Sequence, residues 1–238
     1  MPKGLQPKGV ARRNKMLLAA VQLFLENGYE KTTTAAIARA AGMAPSSFFA
    51  AFENKEALLL TLVQQMFNRQ FENAEQLLGE QKDPLMLYGI ETALQMYMYI
   101  TELSEPLREL YVMAYSLPTT CEYIYNNTAE RLSVIFADYL PEAEKKDFYE
   151  MDIASGGITR GFMAKHCHLY FKIEDKIRRH LQCCFTLYQV PKEKQDAVID
   201  AVLEVDLQSI AQKLIEDTIV QAHRGFEAVM TTKEGKKA

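Results

Sequence analysis

Few side chains in this chain of 238 residues are spaced for bond-making chemistry. The sets closest to a metal or redox site are His166-Cys167-His168 and the trio His180, Cys183 and Cys184. On one helix the trio has i, i+3 and i, i+4 spacing and can converge, whereas His166 and Cys167 are adjacent and diverge, and no Cys-x-x-Cys pair exists. Cys184 also continues the apolar stripe Ile177, Leu181, Tyr188, so structural burial is expected, with no metal and no cofactor. There is no His-Glu-x-x-His, no strand-borne glycine-rich phosphate loop and no nucleophile elbow, and Ser155-Gly156-Gly157 stands in a helical context. The expectation is therefore not an enzyme. What remains is binding chemistry: cations at the start of the chain, and a band of tyrosines and methionines near its middle.

The charges are unevenly divided. Residues 1–60 hold eight Lys or Arg against four acids, a net +4, whereas the chain as a whole is −4, which leaves −8 on residues 61–238. A basic start suits a polyanion that the acidic remainder would repel, so a nucleic-acid site belongs in the first quarter. Lys3, Lys8, Arg12, Arg13 and Lys15 supply a sequence-tolerant attraction to phosphates.

The elements that must position these groups read as helices throughout. Pro45, Pro84, Pro106, Pro118, Pro141 and Pro191 divide the chain, and Asp83-Pro84 and Ser104-Glu105-Pro106 look like a cap followed by a first-turn proline. Leu17, Val21, Phe24 and Leu58, Leu62, Met66 make helical stripes, as do Ile124, Thr128, Leu132, Ile135, Tyr139. A last long helix is expected over about residues 192–226, and no segment makes a convincing strand. Four unevenly placed cysteines, no signal-peptide pattern and no apolar run of membrane-spanning length point to the cytoplasm and to no membrane partner.

From Gly28 the residues spell a helix-turn-helix. Gly28 closes one helix, Thr33 caps the next (about Thr34 to Ala41), Gly42 permits a tight turn, and Pro45 pre-sets the first turn of a third helix. Ile37, Ala38, Ala41, Met43 and Phe48 can form a small core, and Asn54 can cap a fourth helix with Lys55 in its first turn, facing a phosphate. The order Gly-Tyr, Thr-Thr, Ile-Ala, Ala-Gly, an aromatic pair, Phe and Lys-Glu-x-Leu over residues 10–58 resembles the DNA-binding domain of TetR-family transcriptional regulators. Five positions depart from that pattern. Ala36 stands where an acidic or polar residue would complete a capping box, Ala44 where a serine often caps the recognition helix, Phe49 where a tyrosine is typical, and Ala50 and Ala51 where Tyr or His is common.

The resemblance implies an all-α, TetR-like chain with an N-terminal three-helix DNA-binding domain and a larger helical domain for effector binding and dimerisation. The expected limits are a disordered basic arm at 1–9, the DNA-binding domain at 10–56, the effector domain at 57–230 and a disordered tail at 231–238. Partners implied are a double-stranded DNA operator, a small-molecule effector and a second copy of the chain, paired through long helices near 147–170 and 192–226. DNA contacts fall to Arg12, Arg13, Thr33, Thr34, Pro45, Ser46, Ser47, Phe49 and Lys55, with the competing possibility that Phe49 packs inward. A pocket suited to an apolar or aromatic effector is expected around Tyr88, Met96, Tyr97, Tyr99, Arg108, Tyr111, Tyr115, Tyr123 and Arg131. Gly156, Gly157 and Gly161 allow close helix approach, as in a dimer interface, with a local kink as the alternative. The function implied is a repressor released by its effector. The alternative is a helical small-molecule-binding protein or enzyme carrying a degenerate helix-turn-helix.

Overall fold

The computed structural model describes residues 7–79, 83–98 and 105–216. These form helices α1 (Pro7–Asn27), α2 (Thr34–Ala40), a single 3-10 turn (Pro45–Ser47), α3 (Lys55–Leu78), α4 (Pro84–Met98), α5 (Glu105–Ala114), α6 (Pro118–Ile135), α7 (Lys145–Ala164), α8 (Ile173–Leu187) and α9 (Lys192–Glu204). Among the described residues there is no sheet, only a lone antiparallel bridge between His168 and Phe171. The chain divides into two compact units, and the division at Leu62 and Val63 falls inside α3; the segment from Lys213 groups with the first unit.

In the N-terminal unit, α1 buries Met16, Leu17, Ala20 and Phe24 against Ile37, Ala38, Phe48, Phe52 and Leu58. Gly28 and Gly42 take positive φ values of 78° and 72°, conformations a side chain would oppose. After α2 the Gly42 N–H donates to the Arg39 carbonyl and the Met43 N–H to the Ala38 carbonyl, the paired bonds of a Schellman ending. Thr33 caps α2 through Oγ1, which accepts from the Ala36 N–H at 3.1 Å, and Asn54 caps α3 by accepting from the Ala57 N–H at 2.7 Å.

The second unit stacks α4, α6, α7, α8 and α9 around Leu94, Phe136, Leu181, Phe185, Tyr188 and Val202. Phe136 and Tyr188 lie 4.1 Å apart with rings only 12° from parallel, and Tyr88 meets Phe136 edge-on. Gly89 lets α4 and α9 come together, since a Cβ there would stand 2.6 Å from Val202 Cγ2.

Three expectations need correcting. Helix α1 already begins at Pro7, so residues 7–9 belong to it and not to a disordered arm; proline is suited to a first helical position, where no N–H is missed. The third helix of the helix-turn-helix is only a three-residue 3-10 turn followed by further turns as far as Ala51, because the segment between Pro45 and the start of α3 at Lys55 is too short to propagate. The long helix expected at 192–226 is interrupted. Val205 is extended (ψ 131°), and Asp206 Oδ1 accepts from the Ser209 N–H at 3.2 Å, starting a new helical stretch at Leu207 as a cap would. Residues 1–6, 80–82, 99–104 and 217–238, including the expected tail, lie outside the described residues.

Candidate DNA-facing edge and effector cavity

The turn between α2 and α3 presents Pro45, Ser46 and Phe49 to solvent, with Ser47 half-buried. Phe48 and Phe52 are fully buried beneath it, and Phe49 is 63% exposed, its ring held edge-on to Phe48 at 5.5 Å. Phe49 therefore does not pack inward. Arg12 is exposed on α1, but its neighbour Arg13 turns back: Nη2 donates to Thr61 Oγ1 at 2.8 Å, and the guanidinium lies 4.7 Å over the Phe52 ring. Thr33 is occupied as a cap, and Thr34 is half-buried at the start of α2.

Lys55 is also drawn inward. Its Nζ donates to the carbonyls of Tyr29 (2.8 Å) and Thr32 (3.1 Å) and sits 4.1 Å from the Tyr29 ring centroid. Two of its three N–H groups are thus taken by main chain, which corrects the picture of an ammonium facing a phosphate. Burial lowers its pKa, partly offset by Glu30, and the same burial raises Tyr29 to about 12. The lysine ties the α1–α2 connection to the start of α3.

In the second unit a cavity of about 70 Å3 opens between α4, α6 and α7 and the end of α5. Tyr88, Glu91, Thr92 and Gln95 of α4 face Thr128, Arg131, Leu132 and Ile135 of α6, with Tyr115 and, from α7, Asp152, Ser155, Gly156 and Thr159. A Cβ on Gly156 would meet Tyr125 Cε1 at 2.8 Å and Tyr115 Cε1 at 3.3 Å, so the absence of a side chain there keeps this wall open. Of the pocket residues expected from sequence, Tyr88, Tyr115 and Arg131 line this space together. Met96 is buried in core, Tyr111 is buried 4.9 Å from the Tyr115 ring, and Tyr97 and Tyr123 are half-buried elsewhere. Arg108 is bound to Glu105 and to the Ala164 carbonyl, and Tyr99 lies outside the described residues.

The cavity is more polar than a band of Met and Tyr suggested. Buried Glu91 pairs with Arg131, which also reaches Glu75 at 3.7 Å, so that cation is shared between two carboxylates. Asp152 is equally buried, and its only hydrogen-bond partners among the described residues are hydroxyls: Ser155 Oγ at 2.6 Å and Thr128 Oγ1. Burial pushes its carboxyl above the usual range, against the pull of those two hydroxyls. Thr128 Oγ1 lies within hydrogen-bond reach of both the Ile124 carbonyl, at 2.7 Å, and Asp152 Oδ2, and its one hydrogen can be donated to either.

Behind Asp152, Tyr188 donates to Ser155 Oγ at 3.1 Å. Thr159 Oγ1 lies 2.8 Å from the Ser155 carbonyl and 2.9 Å from His180 Nε2; when its hydrogen goes to the carbonyl, the Nε2–H tautomer of His180 donates to it. His180 is completely enclosed, and burial lowers its pKa from 6.5 to about 3. Cys184, beside it at 3.7 Å, is pushed up to about 12 by burial, an unreactive thiol. No group of three metal-ligating side chains exists among the described residues, and no helix among them is long and apolar enough to cross a membrane. Glu91, one of the embedded charges of the tyrosine and methionine band, lines the cavity, whereas Asp152 and Ser155 were not expected there. Their visible signal was one of position: polar residues on the faces of α4 and α7 that also carry Ile90, Leu94, Phe148 and Met163.

Comparison with known proteins agrees with this architecture. Residues 16–62 match the family model for bacterial regulatory proteins of the tetR family. The chain is 26% identical over 164 residues to YvkB of Bacillus subtilis (strain 168), an uncharacterized HTH-type transcriptional regulator, covering 67% of this chain and 78% of that protein. Its fold resembles that of SmeT, repressor of the Stenotrophomonas maltophilia multidrug efflux pump SmeDEF (TM-score 0.52, 19% identity, 73% of this chain and 88% of that one). It also resembles Thermus thermophilus FadR, a TetR-family repressor in complex with lauroyl-CoA (TM-score 0.56, 17% identity, 76% and 96% covered), and RolR in complex with resorcinol (TM-score 0.60, 13% identity, 83% and 96% covered).

Proposed function

We propose that this protein is a DNA-binding repressor released from its operator by a small effector, because residues 16–62 match the family model for bacterial regulatory proteins of the tetR family and helices dominate the described residues. The observation that carries the reading is the exposed edge Pro45, Ser46 and Phe49, held rigid by Phe48, Phe52 and the Lys55 tether. Serine hydroxyls and free backbone N–H groups on such an edge suit phosphates, and Pro45 and Phe49 suit thymine methyls, which compensates for the donors absent at Ala44, Ala50 and Ala51. Arg12 adds an electrostatic contact. SmeT and Thermus thermophilus FadR are repressors, and FadR and RolR hold small molecules; the shared fold supports the same division of labour here.

The effector belongs in the cavity between α4, α6 and α7, its apolar or aromatic part against Tyr88, Tyr115, Leu132 and Ile135. Two copies act together, with the outward face of α7 available for pairing: Ile153 is exposed, and nothing stands within 4 Å of a Cβ on Gly157 or Gly161. Footprinting on the DNA upstream of the protein's own gene tests the reading. Two protected half-sites about 34 Å apart, one helical turn, are expected; no protection at low salt, with or without small molecules, would overturn it.

A further inference from the structure

We propose that the cavity of the second unit selects a small organic cation, a protonated amine, whose ammonium group pairs with Asp152. The inference rests on reading this unit as the effector-binding part.

Three observations carry it. Asp152 is a buried carboxyl on the cavity wall with hydroxyl partners only, and among the described residues no Lys, Arg or His forms an ion pair with it. The cation that does line the cavity, Arg131, is held by Glu91 and Glu75, so the wall has an acidic group in excess. Tyr88 and Tyr115 stand on the same walls, and aromatic faces attract an alkylammonium as well as the carbon chain behind it. The volume of about 70 Å3 is well under the ~300–1,000 Å3 of a site for drug-sized ligands, so the amine is one of few heavy atoms.

The empty and filled states then differ by a proton. In the empty cavity burial favours the neutral carboxyl, its hydrogen-bond partners being the hydroxyls of Ser155 and Thr128. An entering ammonium replaces the carboxyl proton: Asp152 ionises, the proton leaves to solvent, and an N–H of the ligand donates to the carboxylate. Other ionisable groups around Asp152 do not compete at neutral pH. Burial pushes the phenols of Tyr88 (α4) and Tyr188 (beyond α8) far up, raises Tyr125 (α6) and the Cys184 thiol (α8) to about 12, and lowers His180 (α8) to about 3. Glu91 and Arg131 are tied to each other across α4 and α6, and Tyr115 comes from the end of α5.

Butylamine, butan-1-ol and butanoate share a length and differ in charge. Titrated calorimetrically into the full-length protein near neutral pH, the amine should bind about tenfold or more tightly than the alcohol, since charge-assisted pairs exceed neutral ones, with proton release that grows as the pH is lowered toward the carboxyl's raised pKa. In Asp152→Asn the preference should fall to about threefold or less, while the alcohol binds as before. In the unchanged protein, amine affinity should weaken by up to about tenfold per pH unit below the carboxyl's pKa while alcohol affinity stays level, which provides a readout even if the variant fails to fold. Equal affinity for amine and alcohol, tighter binding of butanoate that disappears in Arg131→Gln, or no amine binding at millimolar concentration would each overturn the proposal. Footprinting of the ligand-free protein separates this from the regulatory reading. A protected operator without amine preference removes only the cation, and amine preference without protection removes only the regulation.

Discussion

Lys55 shows how a charge can be diverted from a partner to the fold. Its ammonium donates to the carbonyls of Tyr29 and Thr32 and lies over the Tyr29 ring. Hydrogen bonds from a charged donor contribute about 1.5–3 kcal/mol, and a half-exposed site takes the lower part of that range. Lys55→Met keeps the stem and removes the donors, so it should cost about 1–2 kcal/mol. Urea unfolding monitored in the N-terminal unit would register this as a lower midpoint with an unchanged slope, and an unmoved midpoint would mean that water satisfies those carbonyls equally well. In the second unit, His180 and Asp152 give pH dependence of opposite sign. The folded imidazole has its pKa lowered from 6.5 to about 3, so between those values the unfolded chain holds a proton that the folded chain refuses, and stability falls as pH drops. Asp152 is raised when folded, so its contribution is complete at low pH and is lost as pH rises through the raised value. Melting temperature should therefore depend less steeply on pH in His180→Gln than in the unchanged protein between about pH 6.5 and 4, and an equal slope would show that His180 already takes up a proton in the fold.

The packing of α4 on α9 depends on a single missing Cβ. One added at Gly89 would stand 2.6 Å from Val202 Cγ2 and 3.6 Å from Val198 Cγ1, both on α9. Alanine is worth about 1 kcal/mol over glycine in a helix interior, but overpacking costs about 1–3 kcal/mol, so Gly89→Ala should be destabilising overall. Val202→Ala alone leaves a cavity; combined with Gly89→Ala it removes the atom in conflict. The double variant should thus be more stable than the sum of the single ones predicts by about 1 kcal/mol, and strict additivity would place the conflict elsewhere. No such relation between Gly89 and Val202 is visible in sequence, since α4 and α9 are about a hundred residues apart. Local signals were legible: Thr33, Asn54 and Asp83 cap as their types suggest, with Asp83 accepting from the Leu85 N–H at 2.8 Å. The break at Val205 and Asp206 was not, because the apolar stripe Leu203, Leu207, Ile210, Leu214 runs through it in helical register and masks a capping aspartate. The cavity was legible only in part. Tyr88, Tyr115 and Arg131 announce themselves by type, whereas Asp152 and Ser155 look like ordinary polar residues of α7 until α6 and α8 close over them.

At the scale of the whole chain, the +4 of residues 1–60 against −8 for the rest would make the proposed DNA affinity a property of few side chains. Each phosphate neutralised should contribute about 0.9 to the log–log dependence of binding on salt. The exposed Arg12 is free to contribute in this way, whereas Arg13 is bound to Thr61 and stacked on Phe52. If the protein grips an operator with two copies, Arg12→Gln should lower the slope by about 0.9 per copy, hence about 2 in total, at little cost in stability. Arg13→Gln should do the reverse, lowering the unfolding midpoint and leaving the slope nearly unchanged, because it removes an internal bond and no counterion-releasing contact. Operator binding measured between low and physiological salt, alongside urea unfolding of both variants, separates the two roles. A slope loss in Arg13→Gln as large as that in Arg12→Gln would mean that DNA pulls the second guanidinium away from Thr61, so that the rigid N-terminal unit adjusts on binding and the bond to α3 is part of the binding equilibrium.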